Sequence, residues 1–133
     1  MLGSLERLNA FINDSPTVTE YAGATLAEPA HKAVAYDADG NAILATNGVE
    51  AFGVILSDTR DPVKQGQPLN ILIKNIGLLE AGSAIYKGDP ITINTAGQGV
   101  RAIAGQFIFG WAFTTVDVGG CVQVMITRSG FMA

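Results

Sequence analysis

Apolar positions along this chain follow two patterns, and the change comes near residue 16. Leu2, Leu5, Leu8, Phe11 and Ile12 recur at spacings of three and four, the stripe of one helical face. Ser4 suits a helix cap and Glu6 the positive end of the first turn. Asn13-Asp14-Ser15-Pro16 then stops the pattern. The spacing predicts a helical arm over residues 1–16. A helix of about ten residues is marginal alone in water, so the arm is expected to dock on its own domain or on a neighbour.

From Thr17 the pattern becomes that of short strands. Lys32–Tyr36 and Ala42–Ala45 flank Asp37-Ala-Asp-Gly-Asn41, a hairpin signal. Phe52–Leu56 reads as a strand, and Asp61-Pro62 and Gln65-Gly66-Gln67-Pro68 as the turns after it. Leu69, Ile71 and Ile73 alternate with Asn70, Leu72 and Lys74. Ile91 and Ile93 follow Gly88-Asp89-Pro90, and Thr95–Gly99 is a loop leading into Val100–Ile103. Phe107, Phe109, Trp111 and Phe113 have the spacing of one face of an extended strand. Val122, Val124 and Ile126 close the set. No exact internal repeat and no low-complexity tract is visible. The expectation is a mainly β domain over 17–133, a small β-sandwich or barrel of short antiparallel strands, preceded by the short N-terminal helix or arm.

Composition turns attention to the surface. Charged residues are 15% of the chain, and Pro90–Ala133 holds only Arg101, Asp117 and Arg128, against roughly a quarter in an ordinary soluble domain. A domain of 133 residues keeps much of its surface wet, so part of this charge-poor third is expected to meet another protein. Mean hydropathy is +0.30, yet no apolar run approaches the roughly 18 residues of a membrane span. The start of the chain has neither the basic region nor the long apolar stretch of a signal peptide. A cytosolic product that does not insert into membranes is expected. Net charge is −4 and the eight basic residues stand singly from Arg7 to Arg128, which argues against nucleic-acid binding.

Candidate chemistry is sparse. His31 is the one histidine and Cys121 the one cysteine. His31 has no acidic neighbour and reads as a surface or strand-start residue; Cys121, far from any cation in sequence, reads as a small buried hydrophobe. Asp37-Ala-Asp-Gly-Asn41 resembles the opening of a calcium loop, but Gly48 stands where the closing carboxylate belongs. Gly97-Gln-Gly99-Val-Arg-Ala102 fits a loose dinucleotide string with strand signals on both sides, whereas that motif works only ahead of a helix. The Ala81–Pro90 segment has the texture of a biotinyl or lipoyl carrier turn, but Lys32, Lys64, Lys74 and Lys87 lack carrier-tip neighbours. The aromatic stripe Phe107, Phe109, Trp111, Phe113 suits a sandwich core or a subunit interface better than a sugar platform. No catalytic residue, cofactor or metal is expected.

The order of the pieces resembles the head decoration, or capsid cement, proteins of tailed phages. The resemblance rests on Phe52-Gly53-Val54, Gly66 before Leu69–Lys74, Gly77–Gly82, Lys87-Gly88-Asp89, Gly97–Val100, Phe109-Gly110-Trp111-Ala112 and Val122–Ile126. It implies a β-rich virion protein with no catalytic residues, a homotrimer that binds the major capsid protein on the outer face of the head and stabilises the shell. The host cytoplasm would be its place only during assembly. On this reading the arm residues Leu2, Leu5, Leu8, Phe11 and Ile12 are the expected capsid contact, and the charge-poor C-terminal third the expected trimer contact. Another phage structural part, such as a head fibre base or tail component, and a small carbohydrate-binding module are the alternatives.

Overall fold

The computed structural model describes residues 16–46, 50–57 and 61–133. The arm residues before Pro16 therefore lie outside the described part. Within it run ten strands: β1 Thr17–Tyr21, β2 Ala33–Tyr36, β3 Ala42–Leu44, β4 Gly53–Ile55, β5 Pro68–Leu72, β6 Asn75–Glu80, β7 Pro90–Ile93, β8 Gly99–Arg101, β9 Gly110–Ala112 and β10 Cys121–Ile126. They form two five-stranded antiparallel sheets, and no helix occurs among the described residues. The architecture is all-β and sandwich-like.

Local chemistry explains the hairpins. In the β2–β3 turn, Asp37 Oδ1 accepts the backbone N–H groups of Asp39 and Asn41, both at 2.9 Å. Gly40 takes the left-handed conformation, φ 81°, which glycine adopts without steric cost. The β7–β8 turn is built alike: Asn94 Oδ1 accepts from Ala96 and Gln98, and Gly97 has φ 75°.

That likeness extends through the whole molecule. The first sheet has the order β1-β5-β4-β2-β3 and the second β6-β10-β9-β7-β8, which is the same order five strands on. Each sheet curls until its first and last strands touch through one parallel bridge, Ala22–Ala42 in one and Ala81–Gly99 in the other. The long connections are pinned by matching bridges, Leu26–Val63 and Ile85–Val116. Gly66 and Gly119 occupy equivalent turns with φ 87° and 86°. Phe52 N donates to Val34 O, and Phe109 N to Ile91 O. Ala22 N donates to Gln67 O, and Ala81 N to Gly120 O. The chain is a structural duplication, with repeats over about 17–73 and 76–126. It also accounts for His31, a non-glycine residue at φ 56°, since its counterpart in the second repeat is Gly88 at φ 93°. Few side chains record the duplication: Ala22-Gly23 matches Ala81-Gly82, and Phe52-Gly53 matches Phe109-Gly110. Gly53 and Gly110 are retained because a Cβ at either would overlap a carbonyl of the adjacent strand, at Leu72 or Met125.

The repeats share one packing arrangement unequally. Ala22, Leu26, Val34, Phe52, Ile55, Leu69 and Ile71 form a core inside the first sheet. The second core holds Leu79, Ile85, Ile91, Phe109, Val122 and Val124, and it also takes in Ala33, Ala35, Val54 and Leu72 from the outward side of the first sheet. The first repeat therefore lies with its outer face over the seam between β6 and β8. At Gly77 this contact fills the space a side chain would need: Leu72 Cδ2 and Val54 Cγ1 would lie 2.6 and 3.1 Å from an added Cβ. Backbone bonds fix the join, Ala33 N to Gly97 O at 2.8 Å and Glu80 N to His31 O at 2.9 Å. An ion pair completes it. Lys32 Nζ lies 2.8 Å from Glu80 Oε2 without a directed hydrogen bond, and Gln98 Nε2 donates to the same oxygen at 2.7 Å. Removing one partner from such a buried pair strands the other charge.

Three sequence expectations need correction. The aromatic stripe does not share one face: Phe107 and Phe109 are buried, while Trp111 and Phe113 point outward. Phe107 to Gly110 are all buried, so alternation starts only at β9; the segment facing Phe109 is irregular too, since the Phe109 carbonyl accepts from both Thr127 and Arg128. Two residues thus oppose one, the signature of a bulge. Cys121 is half-buried at the start of β10, opposite Glu80. Leu72, which the alternation sets with Asn70 and Lys74 on the face opposite Ile71, is buried because the second repeat covers it.

Candidate interaction surface

The outward side of the second sheet is apolar. Met125 on β10 sits opposite Ile76 on β6 and Trp111 on β9, so three large side chains form a row across the strands. In the next row Gln123 sits opposite Leu78, and Phe113 N donates to Gln123 O at 2.8 Å. Trp111, Phe113, Met125, Leu78 and Ile76 are between 38% and 48% exposed. Gln123 is the polar member of these two rows, and neither row contains a charge. Contiguous apolar patches on soluble proteins mark places where something binds.

The face continues round the β6 edge into a groove of about 490 Å³. Leu56, Leu72, Ile76 and Leu78 line it together with His31 and Ser57. His31 is thus placed beside this groove and immediately before β2, as a half-buried residue in a left-handed turn.

The other end of the sheet is closed by the chain itself. Residues after β10 pair with the segment before β9: Ile108 N donates to Gly130 O and Met132 N to Gln106 O. Phe131 meets Phe107 edge-on at 5.6 Å, and the Arg128 guanidinium lies 5.9 Å over the Phe107 ring. Phe107 is therefore core under this strap, and of the four stripe residues only Trp111 and Phe113 reach the open face.

The corresponding end of the first repeat is amphipathic. Tyr36 stacks on Phe52 with ring centroids 3.9 Å apart, and its hydroxyl donates a short hydrogen bond to Glu20 Oε2. Partial burial, then the hydrogen bond and the negative charge of Glu20, push the Tyr36 hydroxyl up to about 12 against a smaller opposing effect of Arg128. Beside it on β1, Val18 is half-buried against the first core.

The remaining motifs have structural explanations. Asp37 Oδ1 is occupied by the turn it closes. The Gly97–Ala102 string spans the β7–β8 turn and β8 itself, so it offers no helix N-terminus for a phosphate. Lys32 is buried in the junction. The expected capsid contact Leu2, Leu5, Leu8, Phe11 and Ile12 lies outside the described residues. Ile76 and Leu78 carry no distinguishing signal in the sequence; their neighbours Gly77 and Leu79 are also apolar, so nothing marks which face they take.

No protein-family model and no curated protein matches this chain. Among solved structures, the chain is similar to the head fibre gp8.5 N base of bacteriophage phi29. The two share 21% sequence identity with a TM-score of 0.64, over 88% of this chain and 98% of the phage chain. This likeness establishes a common fold running through nearly all of both molecules.

Proposed function

We propose that this chain is a non-enzymatic structural protein of a phage head, attached as an oligomer to the outside of the shell. The observation that carries the reading is the uncharged face of Trp111, Met125, Ile76, Leu78 and Phe113, carried on a fold shared with a phage head fibre base. A free-standing protein gains nothing from so apolar a sheet face, whereas an assembly subunit buries it. The reading requires no catalytic residue, cofactor, metal or nucleic acid.

Two forms of the role arise from different observations. The order of sequence motifs favours a decoration protein that binds the major capsid protein and staples the shell. Each bound copy would lower the free energy of the assembled state, as any ligand of a native state does, and several contacts acting together would hold it in place. The fold likeness favours the base of a head fibre.

One experiment tests the common role and separates the forms. Heads of the phage that encodes the chain are prepared with and without it, incubated with purified protein, and sedimented. Binding to heads is the expected result, and a protein left wholly in the supernatant contradicts the proposal. Heating the two head preparations then distinguishes the forms: a decoration protein raises the temperature at which DNA escapes, and a fibre base leaves it unchanged.

A further inference from the structure

We infer that the outward face of the second repeat, centred on Trp111 and Met125, is seated on the first repeat of a second copy of this chain, so that copies join head to tail. The inference rests on the duplication and stands independently of any role on a phage head.

The chain already contains one example of the joint. The positions equivalent to Trp111 and Met125 are Val54 and Leu72, because Val54 pairs with Leu72 just as Trp111 pairs with Met125. In the first repeat these two are 1% and 7% exposed, covered by the second repeat at β6. In the second repeat they are 38% and 39% exposed. The uncovered face is also the more apolar of the two. Ile76 and Leu78 stand where β1 has Thr17 and Thr19, since Tyr21 and Glu80 hold equivalent places opposite Pro68 and Cys121.

The internal joint is heterologous: the face of one repeat sits over the seam of the next. A chain of two repeats therefore uses one face and one seam internally. Among the described residues it leaves a face at the second repeat and a seam at the first. The free seam lies at β1, where Val18 holds the place of Gly77 and the Tyr36–Glu20 pair stands beside it. A second copy supplies the missing half of each. Heterologous joints close into rings or continue as fibres, according to the rotation they impose. A ring of three copies would array six similar repeats.

The joint between copies is not an exact reproduction. Pro90 holds the place of Ala33 and lacks the N–H that bonds Gly97 O within the chain. Asp89 and Tyr21 stand in place of the Lys32–Glu80 ion pair. The apolar half of the contact is kept and enlarged, and the polar half is lost. Association between copies is therefore expected to be reversible, while the internal joint is permanent.

Directed cross-linking of the full chain tests this. In a Cys121→Ser background, Met125→Cys and Val18→Cys are made separately, mixed and oxidised. The expected product is a disulfide linking one variant to the other. A Met125→Cys chain that links to itself shows a two-fold contact and overturns the head-to-tail arrangement. In parallel, sedimentation velocity follows assembly of the unmodified chain and of Met125→Glu, with Ile103→Glu, at an exposed site elsewhere, as control. Met125→Glu should raise the dissociation constant about thirtyfold or more, and Ile103→Glu should leave it unchanged. A protein that sediments as a monomer at all concentrations overturns the inference. So does an oligomer indifferent to Met125→Glu but lost on deletion of residues 1–15, which would make the arm the connecting element.

Discussion

The two repeats have the same strand order, the same bridges and the same pair of turns, yet the centres of their outer faces have opposite fates. Val54 and Leu72 are sealed by the neighbouring repeat, whereas Trp111 and Met125 face outward. Topology does not distinguish them; position in the chain does. Among the described residues the first repeat has a successor and the second has none. In a duplicated fold joined head to tail, the terminal repeat inherits a surface built to be covered. Natural repeat arrays usually cap that surface with polar residues. Here Thr17 and Thr19 are polar on the repeat that is covered, and Ile76 and Leu78 are apolar on the repeat that is not. The open end has been made stickier, which fits assembly and not capping.

The largest effect should come from the internal joint itself. Lys32→Met takes the cation away from the Glu80 carboxylate, whose Oε2 also accepts from Gln98, in a site where the Glu80 side chain is 13% exposed. Losing one member of a buried pair should cost about 3–5 kcal/mol, read as an earlier midpoint in urea. A Lys32→Met, Glu80→Leu double variant should recover much of that loss. If the single variant matches the parent, the ion pair does not hold the repeats together.

A matched pair of truncations tests the contrast between faces more directly. Leu72→Ala empties a filled site and should cost about 2–5 kcal/mol. Met125→Ala, at the equivalent exposed position, should change monomer stability by less than about 0.5 kcal/mol. Equal losses would mean that the two faces are equally buried in solution.

The turns should respond alike. Asp37→Ala and Asn94→Ala each remove an acceptor of two backbone N–H groups, and each should cost about 1 kcal/mol. A large difference between them would show that the repeats do not fold on equivalent local instructions.

The smallest effect distinguishes the free seam. Tyr36 releases its proton near 10.0 when unfolded and near 12 in the fold. The folded state holds that proton over the interval, so the contribution is intact below pH 10 and is lost as the pH rises towards 12. With Tyr36 49% exposed, solvent screening keeps the slope shallow. Tyr36→Phe should flatten it relative to the parent. An unchanged slope would place the alkaline loss on other groups.

Much of the fold was legible because its local signals agree with its global arrangement. The Asp37–Asn41 turn carries its own hydrogen-bond acceptor, and Val122, Val124 and Ile126 alternate cleanly with outward residues. β6 was not legible: Ile76, Gly77, Leu78 and Leu79 are apolar on both sides, so period-two alternation vanishes where the outward face is as apolar as the inward one. The aromatic stripe was misread because it is not one strand: Phe107 to Gly110 are buried on successive positions and regular alternation begins only at β9. The duplication escaped because short insertions separate the few shared residues. The low charge of Pro90–Ala133 did point to the open surface, since Trp111, Phe113 and Met125 lie within it. It could not point to Ile76 and Leu78, which come from β6 and join that surface only through strand pairing.

Trp111 is the one tryptophan in the chain, and it sits at the centre of the face in question. Its emission, recorded across a dilution series alongside sedimentation velocity, therefore reports directly on that face. If copies join through it, emission moves to shorter wavelength over the same concentrations at which the sedimentation coefficient rises. A rise in sedimentation coefficient with Trp111 still emitting as a solvent-exposed indole would contradict the head-to-tail joint.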